Sequence, residues 1–142
     1  MKFVIYGEPV AKGRPRFRNV GSFVQTYTPQ KTLSYENLVK VSFDEQVTHK
    51  EVILGEVGAV IKAYFSIPKS TSKKKSKLME EGYINPTKKP DLDNLAKTIL
   101  DALNGRAFKD DSQITHMLVE KHYSHNPRVE VEIVEVTLNH DC

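Results

Sequence analysis

Apolar and polar positions recur along this chain with two different periods, and the points where the period changes outline its elements. Met1 to Tyr6 reads as a first strand and leads into a Gly/Pro/Arg segment closed by a Gly21-Ser22 turn. From Pro29, Tyr35, Leu38, Val39, Ser42, Phe43, Gln46 and Val47 recur at three and four, which predicts a helix with one mainly apolar stripe. Ala59, Ile61, Ala63, Phe65 and Ile67 then alternate over 57–67 and stop at Pro68, the pattern of a strand with one buried face. Ser70 to Glu81 suits a lysine-rich helix ended by Gly82. The clearest helix carries Leu92, Leu95, Ala96, Ile99, Ala102 and Leu103 on one stripe and stops at Asn104-Gly105. Two strands follow, over 114–123 and 128–138. In the second, Val129, Val131 and Ile133 alternate with glutamates before the phase slips at Val134, which predicts a bulge. His125-Asn126-Pro127 between them predicts a closing β-hairpin. Strands in separate groups with helices between them give an α+β domain, a small sheet covered by helices on at least one face.

Length and composition narrow the class without naming an activity. A chain of 142 residues, 39% hydrophobic, builds one core, so a single domain over 1–142 is expected. No apolar run approaches the ~18 residues of a membrane span, and MKFVIYGEPV is too short and too soon charged for a signal peptide. The lone cysteine, Cys142, leaves no intrachain disulfide or thiolate cluster, and a reducing, cytoplasmic address is expected.

The formal charge of +3 conceals a division. Residues 1–90 hold 16 Lys/Arg against 8 Asp/Glu, whereas 91–142 hold 5 against 10. One basic bunch is Lys12, Arg14, Arg16 and Arg18, where Gly13 and Pro15 favour an irregular or extended segment. The other is Lys69, Lys73, Lys74, Lys75 and Lys77. A lysine run by itself is usually a solvated face, but two clusters, one rich in phosphate-matching arginine, raise the expectation of a nucleic-acid surface.

The carboxylates supply the candidate chemistry. Asp91 and Asp93 follow Pro90 at the mouth of the best helix, where an extended entry turns both the same way and the helix N-terminus favours negative charge. Lys97, four beyond Asp93, shares its helix face. Asp110 and Asp111 follow the Asn-Gly break, and the linking residues are long enough to bring them back along a helix of ~16 Å. Three or four gathered carboxylates repel unless a cation joins them, and hard oxygen ligands suit Mg²⁺, with Mn²⁺ as a substitute. Each piece also has an ordinary reading: Asp91 or Asp93 as a helix cap, Asp93 with Lys97 as a surface pair, Asp110-Asp111 as turn formers. His122 and His125 lack a third ligand for zinc.

The run KKPDLDNLAKTILDALNGRAFKDDSQI, from Lys88 to Ile114, closely resembles the signature of RusA-type Holliday junction resolvases, especially phage and prophage members. PVAKGRPRF at 9–17, YTPQKT at 27–32 and IPKSTSKKKS at 67–76 agree with it. The resemblance implies a RusA-like α+β domain with a mixed four-stranded sheet, acting as a homodimer that cuts four-way DNA junctions symmetrically with Mg²⁺. It implies catalytic roles for Asp91, Asp93 and Asp111, which would bind the metal, and for Lys97 as base or charge stabiliser. Asp110 also matches the motif, but neighbours on an extended segment face opposite ways, and Asp111 is preferred. Some members carry a basic residue where this chain has Pro90, so a DNA contact there falls to Lys88 or Lys89. The alternatives are a junction-binding protein of the same fold without catalysis, and a metal-dependent transferase holding a nucleotide diphosphate through Asp-x-Asp.

Overall fold

The computed structural model describes residues 1–11, 16–21, 23–27, 30–49 and 51–137, with the backbone alone at 16–20 and 23–27. Six strands and three α-helices are formed among the described residues. The strands are β1 (Lys2–Tyr6), β2 (Arg16–Val20), β3 (Phe23–Tyr27), β4 (Val57–Ser66), β5 (Ile114–Ser124) and β6 (Arg128–Glu135). The helices are α1 (Gln30–Gln46), α2 (Lys73–Glu80) and α3 (Leu92–Leu103).

The main sheet has four strands in the order β1-β6-β4-β5, with β4 and β5 parallel and the other neighbours antiparallel. It is the mixed sheet expected of an α+β domain. Alternation decides its buried face: Phe3 and Ile5 of β1, Ala59, Ile61 and Ala63 of β4, and Val129, Val131 and Ile133 of β6 all point into one core. Tyr35, Val39 and Phe43 from α1, and Val47 just after it, cover that face together with Leu95, Ala96, Ile99 and Leu103 from α3. Phe3 meets Phe43 edge to face at 5.5 Å between centroids. The alanines of β4 and α3 leave room for helix and sheet to close on each other. Gln46 fixes α1 to the rim of β1 through both halves of its amide, accepting from Val4 N at 2.8 Å and donating to Val4 O at 2.7 Å.

Where it is described, the Gly/Pro/Arg segment takes the extended of its two expected forms, and β2 and β3 pair as an antiparallel ribbon about Gly21, whose φ of 61° suits glycine. Two expectations are revised. The closing hairpin does not form. β4 lies between β5 and β6, so Tyr64 is flanked by His122 on one side and Arg128 on the other, and 125–127 step over its end. An apolar run such as β4 is most stable with a neighbour on each edge, and a three-residue connection spans the ~10 Å of two strand spacings. Finally, β6 carries no bulge at Val134, which pairs regularly with Gly58 and packs where a Cβ on that glycine would come within 3.1 Å of it. The observed register shift lies between Val57 and Gly58, against β5.

The opposite face of the sheet is polar and internally neutralised. Lys2 pairs with Glu132 at 3.9 Å, Lys62 with Glu120 at 4.0 Å and Arg128 with Glu130 at 3.5 Å. Tyr64 is stacked on His122 at 5.1 Å, with the Arg128 guanidinium 3.9 Å from its ring centre. Partial burial, then the nearby Glu130, pushes the Tyr64 hydroxyl pKa up.

Candidate active site

Asp91 holds the N-cap position of α3 in extended conformation, φ −72° and ψ 154°, and its carbonyl accepts the first helical bond from Leu95 N at 3.1 Å. Its carboxylate makes no capping bond. The ordinary explanation for an aspartate in this place is therefore not the one the side chain follows. Asp93 lies in the first turn and Lys97 one turn beyond, all three exposed. Asp91 and Asp93 have no hydrogen bond or ion pair among the described residues, with Lys97 or any other group. Two open carboxylates thus stand two residues apart at a helix N-terminus, with an unengaged ammonium on the helix face of Asp93. The stretch leading into them is anchored from β5, where Lys121 Nζ donates to Lys88 O.

The other acidic pair is held elsewhere. After α3 the chain turns tightly: Ala107 N donates to Leu103 O at 3.1 Å, and Gly105 N, at φ 77°, donates to Phe108 O at 2.8 Å. Ala107 and Phe108 are buried, and Ile53 N donates to Ala107 O at 2.9 Å. Arg106 ties the turn to α1 through Asp44 at 2.6 Å. Asp110 then caps a single 3-10 turn, Asp111–Gln113, that opens β5. Its carboxylate accepts from Ser112 N at 3.0 Å, and bonds from the Ser112 hydroxyl and then its backbone hold it below the usual carboxylate pKa. Asp111 is exposed, and its carboxylate bonds to nothing among the described residues. In one chain, Asp111 therefore stays with the C-terminal end of α3, whereas Asp91 and Asp93 open the other end. Twelve residues at 1.5 Å each put about 18 Å of helix between those ends. The linker folds up beside α3 instead of running back along it, because Ala107 and Phe108 are claimed by the core. No three Asp, Glu, His or Cys side chains among the described residues gather as a metal-holding group.

The lysines of the second basic cluster lie on α2 and just before it. Ser72 caps this helix, accepting from Lys75 N at 3.3 Å, and Met79 is the buried anchor. Lys73, Lys74 and Lys75 fill the first turn, which contains no acidic residue. Cations there oppose the helix dipole, so the helix forgoes stability that acids in the same places would add. Lys69, Lys73, Lys74, Lys75 and Lys77 are exposed and form no ion pair among the described residues, unlike the paired charges of the sheet's polar face. Lys88 and Lys89 are exposed just before Asp91, and the Lys89-Pro90 peptide is cis. Lys12 and Arg14 lie outside the described residues, and Arg16 and Arg18 are described by their backbone in β2 alone.

Two side chains that organise these segments escaped the sequence reading. Lys121 occupies the core-facing phase of β5, opposite Ala63, and approaches the Phe65 ring at 5.9 Å; a charge in an apolar phase was the available signal. Gln113 completes a capping box with Asp110, announced by the Asp-x-x-Gln spacing.

An α+β domain with open carboxylates at a helix mouth and unpaired lysines nearby has the makings of a protein that works on phosphates. Comparison with known proteins makes that specific: residues 6–134 match the model of the RusA endodeoxyribonuclease family, and the chain belongs to it. It is also 43% identical over 139 residues to the uncharacterized protein YqaN of Bacillus subtilis (strain 168), covering 96% of this chain and 97% of that one. No helix among the described residues is long and apolar enough to cross a membrane.

Proposed function

We propose that this protein is a Mg²⁺-dependent, structure-selective endodeoxyribonuclease of the cytoplasm that resolves four-way DNA junctions as a homodimer, by paired symmetric hydrolysis of phosphodiesters. The observation that carries this reading is the pair of exposed, unpartnered carboxylates, Asp91 and Asp93, at the N-terminus of α3 in a RusA-family chain. A capping or ion-pairing aspartate would be engaged; these two are available to a ligand.

Carboxylate oxygens without imidazole or thiolate fit Mg²⁺ or Mn²⁺, and Mg²⁺ needs only one or two carboxylates when phosphate and water complete its shell. Asp91 and Asp93 would hold the ion. When bound it supplies Lewis-acid stabilisation of charge on the phosphate and a more acidic water. Lys97, on the same helix face as Asp93, stabilises charge that accumulates on the phosphorus oxygens or the leaving oxygen. Asp111 stands at the far end of α3 in its own chain, so its part as a metal ligand is assigned through the dimer: a two-fold-related copy would present it to the ion held at the first copy's Asp91 and Asp93. The α2 lysines, Lys69, Lys88, Lys89 and the arginines Arg14, Arg16 and Arg18 with Lys12 hold phosphates, giving affinity without base information.

The test is a synthetic four-way junction incubated with the protein and Mg²⁺, beside Asp91→Asn. Symmetric cuts by the wild type, with binding kept and cutting lost in the variant, are expected. A junction bound but left whole by both proteins would identify a binding protein of the same fold instead.

A further inference from the structure

The side-chain amide of Gln113 is committed on both sides. Its Oε1 accepts from Asp110 N at 2.8 Å, while Nε2 donates to Ile53 O and to Gly55 O, each at 2.8 Å. Both donor hydrogens are used, and an amide is the neutral side-chain group able to donate twice and accept once in this way. The two carbonyls belong to the segment before β4, which is itself tied to the α3 turn through Ile53 N and Ala107 O. Asp110 is equally occupied by Ser112 N. Between these two engaged residues, Asp111 alone keeps an exposed, unbonded carboxylate.

We infer that Gln113 is a positioning residue for the cleavage reaction: together with the Asp110 cap it fixes the 3-10 turn to the 53–55 segment, so that the Asp111 carboxylate is presented in one direction. This rests on the proposed nuclease reading, in which Asp111 is a metal ligand. It also divides the acidic pair by role. For cleavage, Asp110 matters through the acceptor oxygen of its cap and not through its charge; Asp111 matters through its charge. A single turn of 3-10 helix has too few internal bonds to hold its own geometry, so the clamp is what removes freedom from Asp111.

Four variants test this. Gln113→Ala is expected to bind a junction within about twofold of wild type, to cut at saturating DNA at least tenfold more slowly, and to need several-fold more Mg²⁺ for half-maximal rate. Asp110→Ala should behave likewise. Asp110→Asn keeps an oxygen for Ser112 N and should cut within about threefold of wild type, whereas Asp111→Asn should not cut. Amide hydrogen exchange supplies a readout independent of activity: Gln113→Ala should exchange the Asp110 amide at least tenfold faster while the α3 amides are unchanged. Gln113→Ala cutting normally at normal Mg²⁺, or Asp110→Asn as inert as Asp111→Asn, would overturn the assignment. If the wild type leaves junctions whole, the nuclease reading fails by itself; unaltered exchange at Asp110 in Gln113→Ala would mean that the clamp fails too.

Discussion

Asp110 and Asp111 show how one sequence letter takes two physical roles within a single peptide step. The first is drawn into hydrogen bonds with Ser112; the second faces solvent. A pH dependence follows from the first. Its pKa is lowered in the folded protein from the ordinary 3.8, so the stabilisation is complete at neutral pH and is lost as pH falls from that value through the lower folded one. Thermal midpoints of wild type and Asp110→Ala measured between pH 7 and pH 2.5 should therefore differ at the neutral end and converge at the acid end. A constant gap would mean that the carboxylate's charge plays no part in the cap. The local arrangement of Asp91, Asp93 and Lys97, the proposed phosphate-site residues, was legible in the chain, since they are neighbours and their relation is set by local helix geometry. Which aspartate of the second pair is free was readable only as a preference from alternation. Capping bonds in a short 3-10 turn decide it, and they depend on Gln113 reaching carbonyls almost 60 residues away in sequence.

At the scale of elements, local periodicity placed every helix and every strand of the main sheet close to its observed bounds, because stripe and alternation are properties of the segment itself. Pairing is not. The turn at 125–127 carries the same signal whether the strands it joins are neighbours or stand either side of a third, so the hairpin was a reasonable expectation and the insertion of β4 had no local mark. The β2–β3 ribbon was hidden for a related reason: glycine, proline and arginine obscure alternation. The element with the most telling composition is α2. Its three lysines sit where the helix dipole disfavours them, a local rule broken without any compensating contact among the described residues. Replacing Lys73, Lys74 and Lys75 with glutamine should leave the thermal midpoint unchanged or slightly raised. The same variant should bind a junction more weakly and with a flatter salt dependence, the slope of log K against log salt falling by up to about 0.9 for each lysine that contacts a phosphate. An unaltered slope measured by fluorescence anisotropy across a salt series would make the run a solvated face.

For the whole molecule, the proposed reading, set beside the separate placement of the two acidic pairs, requires a dimer for the chemistry. Mixing Asp91→Asn with Asp111→Asn protomers, each inactive alone, yields hybrid dimers with one site lacking both groups and one site intact. If Asp111 acts across the two-fold, the mixture should nick one strand of a junction, at up to about half the wild-type single-strand rate per hybrid dimer. No recovery, with subunit exchange verified by native mass spectrometry, would return Asp111 to its own chain's site. Sequence alone pointed instead to a return of the second pair along α3, an inference from reach. Reach was sufficient, but the burial of Ala107 and Phe108 spends the linker on packing.

The position of β6 between β1 and β4 also sets a schedule. β1 finds its hydrogen-bonding neighbour in β6, so Phe3 waits for Val131 and Ile61 waits for the same residue. Such long-range pairing folds slowly, and a nascent chain halted before Arg128 lacks the rib that joins the halves of its sheet. The polypeptide thus acquires a finished scaffold, and with it any ability to cut DNA, only once translation has passed Glu135.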